Sequence, residues 1–317
     1  MPYSNTAAVL RADIMGKVEE ASPEMTDFIA DQVLPVWPSP TKSGVYPIFR
    51  AGISDLLTDD ATTRARGGSY QRVIRSYDND NFTTLDRGLE EALDDTDVKD
   101  LERFFDLEAA TAVRVTNQVK IGLEQRVSDA INTTANFTAT AAQVAYTQAN
   151  IATIDLPQDV LNALDRLAQN GNMGNTIVMS ASVWNRIRRS TLLQNYVRGS
   201  GKASDAPLNL SQDQVAQAFG LKQLLVSRAP KNTAKKPKFT ASFVWPNTYV
   251  WVGRTETGDL LNGGAGRTIV WREEGGLFVV ETYRNEETRS DIVRVRQHTV
   301  EKILNTKAGE LITTSYS

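Results

Sequence analysis

The chain has 317 residues, a formal net charge of −3, and 41% hydrophobic and 23% charged residues, the composition of a folded protein with room for more than one lobe. It contains no cysteine and one histidine, His298, which excludes disulfides, thiolate chemistry and cysteine-bound zinc and leaves imidazole catalysis a single candidate. No apolar run reaches the roughly 18 residues of a membrane span, and residues 1–10 lack the basic and apolar regions of a signal peptide, so no membrane partner and a cytoplasmic site of synthesis are expected.

Residues 1–45 read as an extended arm. Ser22-Pro23-Glu24 supplies a cap and first turn for a short helix over 24–33, with Phe28, Ile29 and Val33 on one side. Pro35, Pro38, Pro40 and Pro47 then keep the chain extended across the surface. Residues 46–93 read as a long polar hairpin. It has a strand at 46–49, a turn-rich tip with Arg64, Arg66, Gly67 and Gly68, a strand over 70–77, and an Asx-rich turn at 78–81. Such a hairpin buries little of itself and needs another surface to lie against.

The period changes at residue 96. Val98, Leu101, Phe105, Ala109, Ala112, Val115, Val119, Leu123, Val127 and Ile131 are spaced by threes and fours, which predicts one helix over 96–132, about 50 Å long. Asp95 or Thr96 is its expected cap, and Asp97, Asp100 and Glu102 suit the positive end of its dipole. Residues 133–153 read as a loop or weak strand.

An α/β lobe follows, with helices over 157–170 and 182–193, a buried strand at 176–180 and a flexible loop over 199–209. Ser211 opens a further helix, before a strand at 223–227, a basic loop over 231–238 and an aromatic strand over 243–252. The last residues read as a β-ribbon, with strands at 267–271, 277–283 and 291–300 and a final apolar pair, Leu311-Ile312. In its longest strand Val293 and Val295 alternate with Arg294 and Arg296, the pattern of a sheet with one dry face.

This order of arm, polar hairpin, very long helix, small α/β lobe and closing ribbon resembles the major capsid proteins of tailed bacteriophages, the Hong Kong 97-type shell fold. Phe219-Gly-Leu221 ahead of Leu224-Leu-Val-Ser-Arg228, Val244-Trp-Pro-Asn247, and the paired runs 277–283 and 292–297 carry the resemblance locally. It implies an α+β chain with an N-terminal arm (1–45), an extended hairpin or E-loop (46–93), a peripheral domain with a spine helix (94–154), an axial α/β domain (155–265) and a ribbon returning to the peripheral domain (266–317).

It also implies a virion protein rather than an enzyme, with no cofactor or metal, assembled as hexamers and pentamers around double-stranded DNA. A separate scaffolding protein, a portal and a cement protein are the implied partners. The type member cross-links through a hairpin lysine. Here no lysine occurs between Lys42 and Lys99, so that isopeptide chemistry is excluded. An encapsulin-like compartment and an α/β enzyme using residues 155–265 are the alternatives.

On this reading Arg64, Arg66, Phe28, Trp37 and Tyr46 are the candidate contacts between subunits. Arg186, Arg188 and Arg189, and separately Lys235, Lys236 and Lys238, are the candidate contacts to DNA. The other clusters read as structural. Asp78-Asn-Asp-Asn81 lacks the sixth-position Gly and twelfth-position Glu of a calcium loop. Glu90, Glu91, Asp94, Asp95, Asp97 and Asp100 read as a solvated helix start, Gly263-Gly-Ala-Gly266 as a flexible loop without the phosphate-loop Lys, and His298 as a partly exposed strand residue.

Overall fold

A computed structural model of the chain describes residues 9–10, 28–48, 63–64, 66–70, 72, 78–101, 106–199, 209–235, 238–260 and 263–316. The first elements are β1 (Val9–Leu10), α1 (Ala30–Val33), β2 (Val36–Ser39), β3 (Ser43–Ile48), β4 (Asp78–Thr83), β5 (Leu85–Asp94), α2 (Asp95–Leu101) and α3 (Leu107–Ile131). β3 and β4 pair antiparallel from Ser43↔Thr83 to Ile48↔Asp78. Residues 78–81, expected as a turn, are therefore strand. The side chains explain it: Tyr46 donates to Asp80 at 3.0 Å, and Tyr46 and Phe82 are both buried.

The long helix is divided. Asp106 has an extended backbone (φ −71°, ψ 99°), and its carboxylate accepts from the Ala109 N–H at 3.0 Å. This local cap starts α3 afresh, and its 25 residues span about 37 Å instead of 50 Å. At the start of α2 the capping side chain is Asp94, which accepts from the Thr96 N–H at 2.7 Å. The buried face of α3 is the one its period predicts, with Ala112, Val115, Val119, Leu123, Val127 and Ile131 all in the core.

The next elements are β6 (Thr138–Ala141), α4 (Leu156–Gln169), β7 (Thr176–Ser180), α5 (Ala181–Ile187), α6 (Thr191–Arg198), α7 (Gln212–Ala218), β8 (Gln223–Ser227), β9 (Pro230–Asn232), β10 (Ala241–Phe243) and β11 (Tyr249–Gly253). The chain closes with β12 (Gly266–Trp271), β13 (Val279–Asn285), β14 (Ser290–Ile303) and β15 (Gly309–Thr313). The single helix expected over 182–193 is two, because Ser190 is extended (φ −66°, ψ 130°) and its buried hydroxyl donates to the Ile154 carbonyl at 2.7 Å. The aromatic strand is likewise interrupted at Trp245-Pro246, where the indole turns aside toward α3.

β6, β15, β11, β7 and β8 form a five-stranded sheet in that order. Leu311 and Ile312 sit in it, in β15, rather than with the ribbon as expected. Strand alternation sorts the side chains to two faces. Ile177, Met179, Leu224, Val226, Val250, Val252 and Ile312 pack with α4, α5 and α7. Val178, Leu225, Trp251 and Leu311 point the other way, onto Leu123, Val127 and Ile131 of α3 and onto Ile29–Leu34. The sheet is the partition between the small lobe and the long helix.

A six-stranded sheet runs β1-β13-β14-β12-β2, with β5 also paired to β14. Val293 and Val295 lie on α3 with Val115 and Val119, the dry face the alternation predicts. On the other face Arg296 pairs with Glu281 at 2.8 Å and Arg294 with Glu90 at 3.1 Å. Gly88 permits the β5–β14 approach: a Cβ there would stand 2.6 Å from the Val295 carbonyl oxygen and 2.9 Å from the Arg296 Cβ. Gly88→Val is expected to destabilise the protein by about 2–3 kcal/mol through overpacking. Urea unfolding checks this, and an unchanged midpoint would mean that β5 lifts away freely.

Candidate assembly surfaces

One carboxylate ties the Ile29–Ala30 segment of the arm to the body. Glu124, on α3 and fully buried, accepts from the backbone N–H groups of Ile29 and Ala30 at 3.1 and 2.9 Å, from the Trp245 indole N–H at 2.6 Å and from the Ser227 hydroxyl at 3.3 Å. Arm, long helix and α/β lobe thus meet at a single side chain. Burial pushes its carboxyl above the ordinary value, and the four donors oppose that shift. The apolar period of α3 gave no sign of it.

The candidate contact residues divide by exposure. Tyr46 is buried and Trp37 half-buried, both packed around Phe82, which Trp37 meets edge-on at 6.4 Å. Phe28 is half-buried beside Lys120, Leu277 and Phe278. Arg64 and Arg66 stand in solvent, with Arg64 over the Tyr70 ring at 4.8 Å. Tyr70 itself is 74% exposed and Val45 of β3 is 65% exposed, signals a polarity scan of the hairpin does not pick out.

Arg186 donates to the Tyr146 carbonyl at 2.7 Å and lies over the Tyr316 ring at 3.8 Å. Arg189 reaches Gln148 at 3.0 Å, and Arg188 is exposed. Lys235 and Lys238 are exposed on the turn joining β9 to β10, and Lys236 lies outside the described residues. Phe239 beside them, which the sequence reading did not single out, is 76% exposed.

The remaining clusters resolve as structure. Glu91 pairs with Arg114, Glu90 with Arg294 and Asp95 with Arg284, which holds the Asp95 carboxyl below its usual range. Among the described residues no group of three His, Asp or Glu side chains is placed to hold a metal ion, and no helix is long and apolar enough to cross a membrane. The Gly263–Gly266 turn wraps a cation: fully buried Arg267 donates to the carbonyls of Gly263 at 3.0 Å and Gly266 at 2.9 Å, the opposite polarity to a phosphate cradle. His298 is buried, not partly exposed. It keeps the parity of Arg294 and Arg296, but Trp271 covers it edge-on at 5.3 Å and Asp86 lies 3.7 Å away.

No protein-family model matches the chain, and no curated protein matches it in sequence. Solved structures do. A phage-related protein from Bordetella bronchiseptica RB50 superposes with a TM-score of 0.67 over 98% of this chain and 98% of its own, at 16% identity. The capsid of cyanophage P-SCSP1u matches with a TM-score of 0.59 over 90% and 86% of the two chains, at 13% identity. The fold is that of a phage capsid protein. A virus-like particle from Pyrococcus furiosus shares it, with a TM-score of 0.54 over 95% and 96% of the chains, at 10% identity. The Hong Kong 97-type α+β architecture is therefore present over nearly the full length, without sequence similarity that would carry residue roles across.

Proposed function

We propose that the chain is the major subunit of a phage capsid, assembling as pentamers and hexamers into an icosahedral shell around double-stranded DNA. The observation that carries this reading is likeness of fold to phage capsid structures over nine-tenths or more of the chain. In this reading the arm and the β3–β4 hairpin reach neighbouring subunits, with exposed Val45 and Tyr70 burying apolar area and Arg64 and Arg66 fixing register by charge. The hairpin carries no lysine for cross-linking, so the shell is held by non-covalent burial, with a cement protein where more is needed. Scaffolding and portal are separate proteins, and the virion is where the chain resides.

A second reading, a nanocompartment shell that packages a cargo enzyme, is favoured by the likeness to the Pyrococcus furiosus particle. Negative-stain microscopy of the purified protein, with and without its co-expressed gene neighbours, tests both. Closed shells that take up DNA through a portal support the capsid. Shells filled by a neighbouring enzyme support the compartment, and a monomer or dimer under every condition sinks both. Arg64→Glu together with Arg66→Glu is expected to stop shell closure while leaving the melting temperature within about 2 °C, as surface changes do. Normal shells from that variant would remove these arginines from the interface.

A further inference from the structure

Between residues 214 and 255 the chain carries seven basic residues and no acidic one, which leaves 28 of its 35 basic residues against all 38 acidic ones elsewhere. Folding alone does not require such segregation, and the β9–β10 turn presents part of it on a braced support. Asn232 donates to the Lys238 carbonyl at 3.0 Å and accepts from the Ala234 and Thr240 N–H groups at 3.0 and 2.8 Å. Thr233 N–H donates to the Thr240 carbonyl and Lys238 N–H to the Lys235 carbonyl, each at 3.0 Å. These bonds tie residues 232–235 to 238–240 and leave Lys235, Lys238 and the ring of Phe239 in solvent. No carboxylate within residues 214–255 is available to neutralise the two ammonium groups. The other basic cluster is different: Arg186 and Arg189 are engaged by Tyr146, Tyr316 and Gln148 of their own lobe.

We propose that Lys235, Lys238 and Phe239, between β9 and β10, are the nucleic-acid contact of this chain, the two lysines against backbone phosphates and the phenylalanine against an exposed base or sugar face. The α5–α6 arginines are not part of it. Ammonium groups beside an exposed aromatic ring are the pairing that non-specific binding uses, charge for the backbone and a flat apolar face for whatever base is presented. The inference rests on the capsid reading, in which the shell encloses DNA, but it is tested on the protein before assembly.

The probes are a 30-base-pair duplex and a 30-nucleotide single strand, titrated with full-length protein at several salt concentrations. Lys235→Ala with Lys238→Ala is expected to weaken both at least tenfold at low salt. It should also flatten the slope of log K against log salt by about 1.8 for the duplex, two phosphate contacts' worth. Phe239→Ala should weaken the single strand several-fold more than the duplex. Arg188→Ala with Arg189→Ala should change neither by more than twofold. Unaltered DNA binding in the lysine variant, equal loss in the arginine variant, or poly-glutamate binding as tightly as DNA would each overturn the assignment. Shells that form normally while the lysine variant binds DNA like wild type would sink this inference alone. Failure of shells to form under any condition would sink the capsid reading whatever the DNA result.

Discussion

Replacing Glu124 by alanine is expected to cost about 3–5 kcal/mol, because it leaves two backbone N–H groups, an indole N–H and a hydroxyl buried without their acceptor. The loss should also be local in character. The Ile29 and Ala30 amides, which donate to this carboxylate across 95 and 94 residues of sequence, should lose their hydrogen-exchange protection before the α/β lobe does. Glu124→Gln keeps one acceptor but turns an NH2 group toward donors, and about 1–3 kcal/mol is expected. If alanine costs less than 1 kcal/mol and the two amides stay protected, the arm is held by its apolar contacts and not by the carboxylate.

The pH dependence has a definite sign. Burial raises the folded-state pKa of Glu124 above its ordinary 4.5, so the folded state binds the proton more tightly than the unfolded state. The stability this group contributes is therefore fully present below about pH 4.5 and is lost as pH rises through the folded value. Between about pH 4 and pH 8 the wild type's advantage over Glu124→Gln should shrink, which parallel urea titrations measure. A gap that widened with pH would mean that the four donors outweigh burial.

How much of this was legible in the sequence depended on whether the deciding interaction was periodic or particular. The face of α3 from Ala112 to Ile131 and the Val293/Val295 alternation were readable because burial repeats with the element's own period. The break at Asp106 was not, since a cap and an exposed helical aspartate look alike until the Ala109 N–H is seen to need it. Residues 78–81 read as a turn by composition and become part of β4 only because Tyr46 and Phe82 are held against Leu260, Ile269 and Leu304, far along the chain. Leu311-Ile312 was misplaced for a similar reason: β15 finds its partners in β11 and β6, and nothing in a five-residue strand with one apolar pair names them. Glu124 was hidden most fully, a charged residue beside an apolar stripe whose four donors come from three separate segments.

Trp251→Ala is expected to be the other costly change, at about 3–5 kcal/mol. Among the described residues Trp251 is the largest fully buried side chain, and it points from β11 toward α3, with Phe137 edge-on at 5.9 Å. Its surroundings are cut to fit: a Cβ on Gly309 would stand 2.5 Å from the indole nitrogen and 2.8 Å from the Phe137 ring. Yet that nitrogen has no hydrogen-bond partner among the described residues, so shape and not polarity holds the ring. Trp251→Phe should then lose packing volume but also remove an unsatisfied buried donor, itself a cost of about 1–3 kcal/mol, and end within about 2 kcal/mol of wild type. Far-ultraviolet circular dichroism and calorimetry on both variants distinguish the cases. If phenylalanine is as damaging as alanine, the indole nitrogen does contribute. If neither change matters, the sheet and the long helix do not depend on each other through this ring. The five-stranded sheet would then be a lobe hinged on α3 rather than one packed against it.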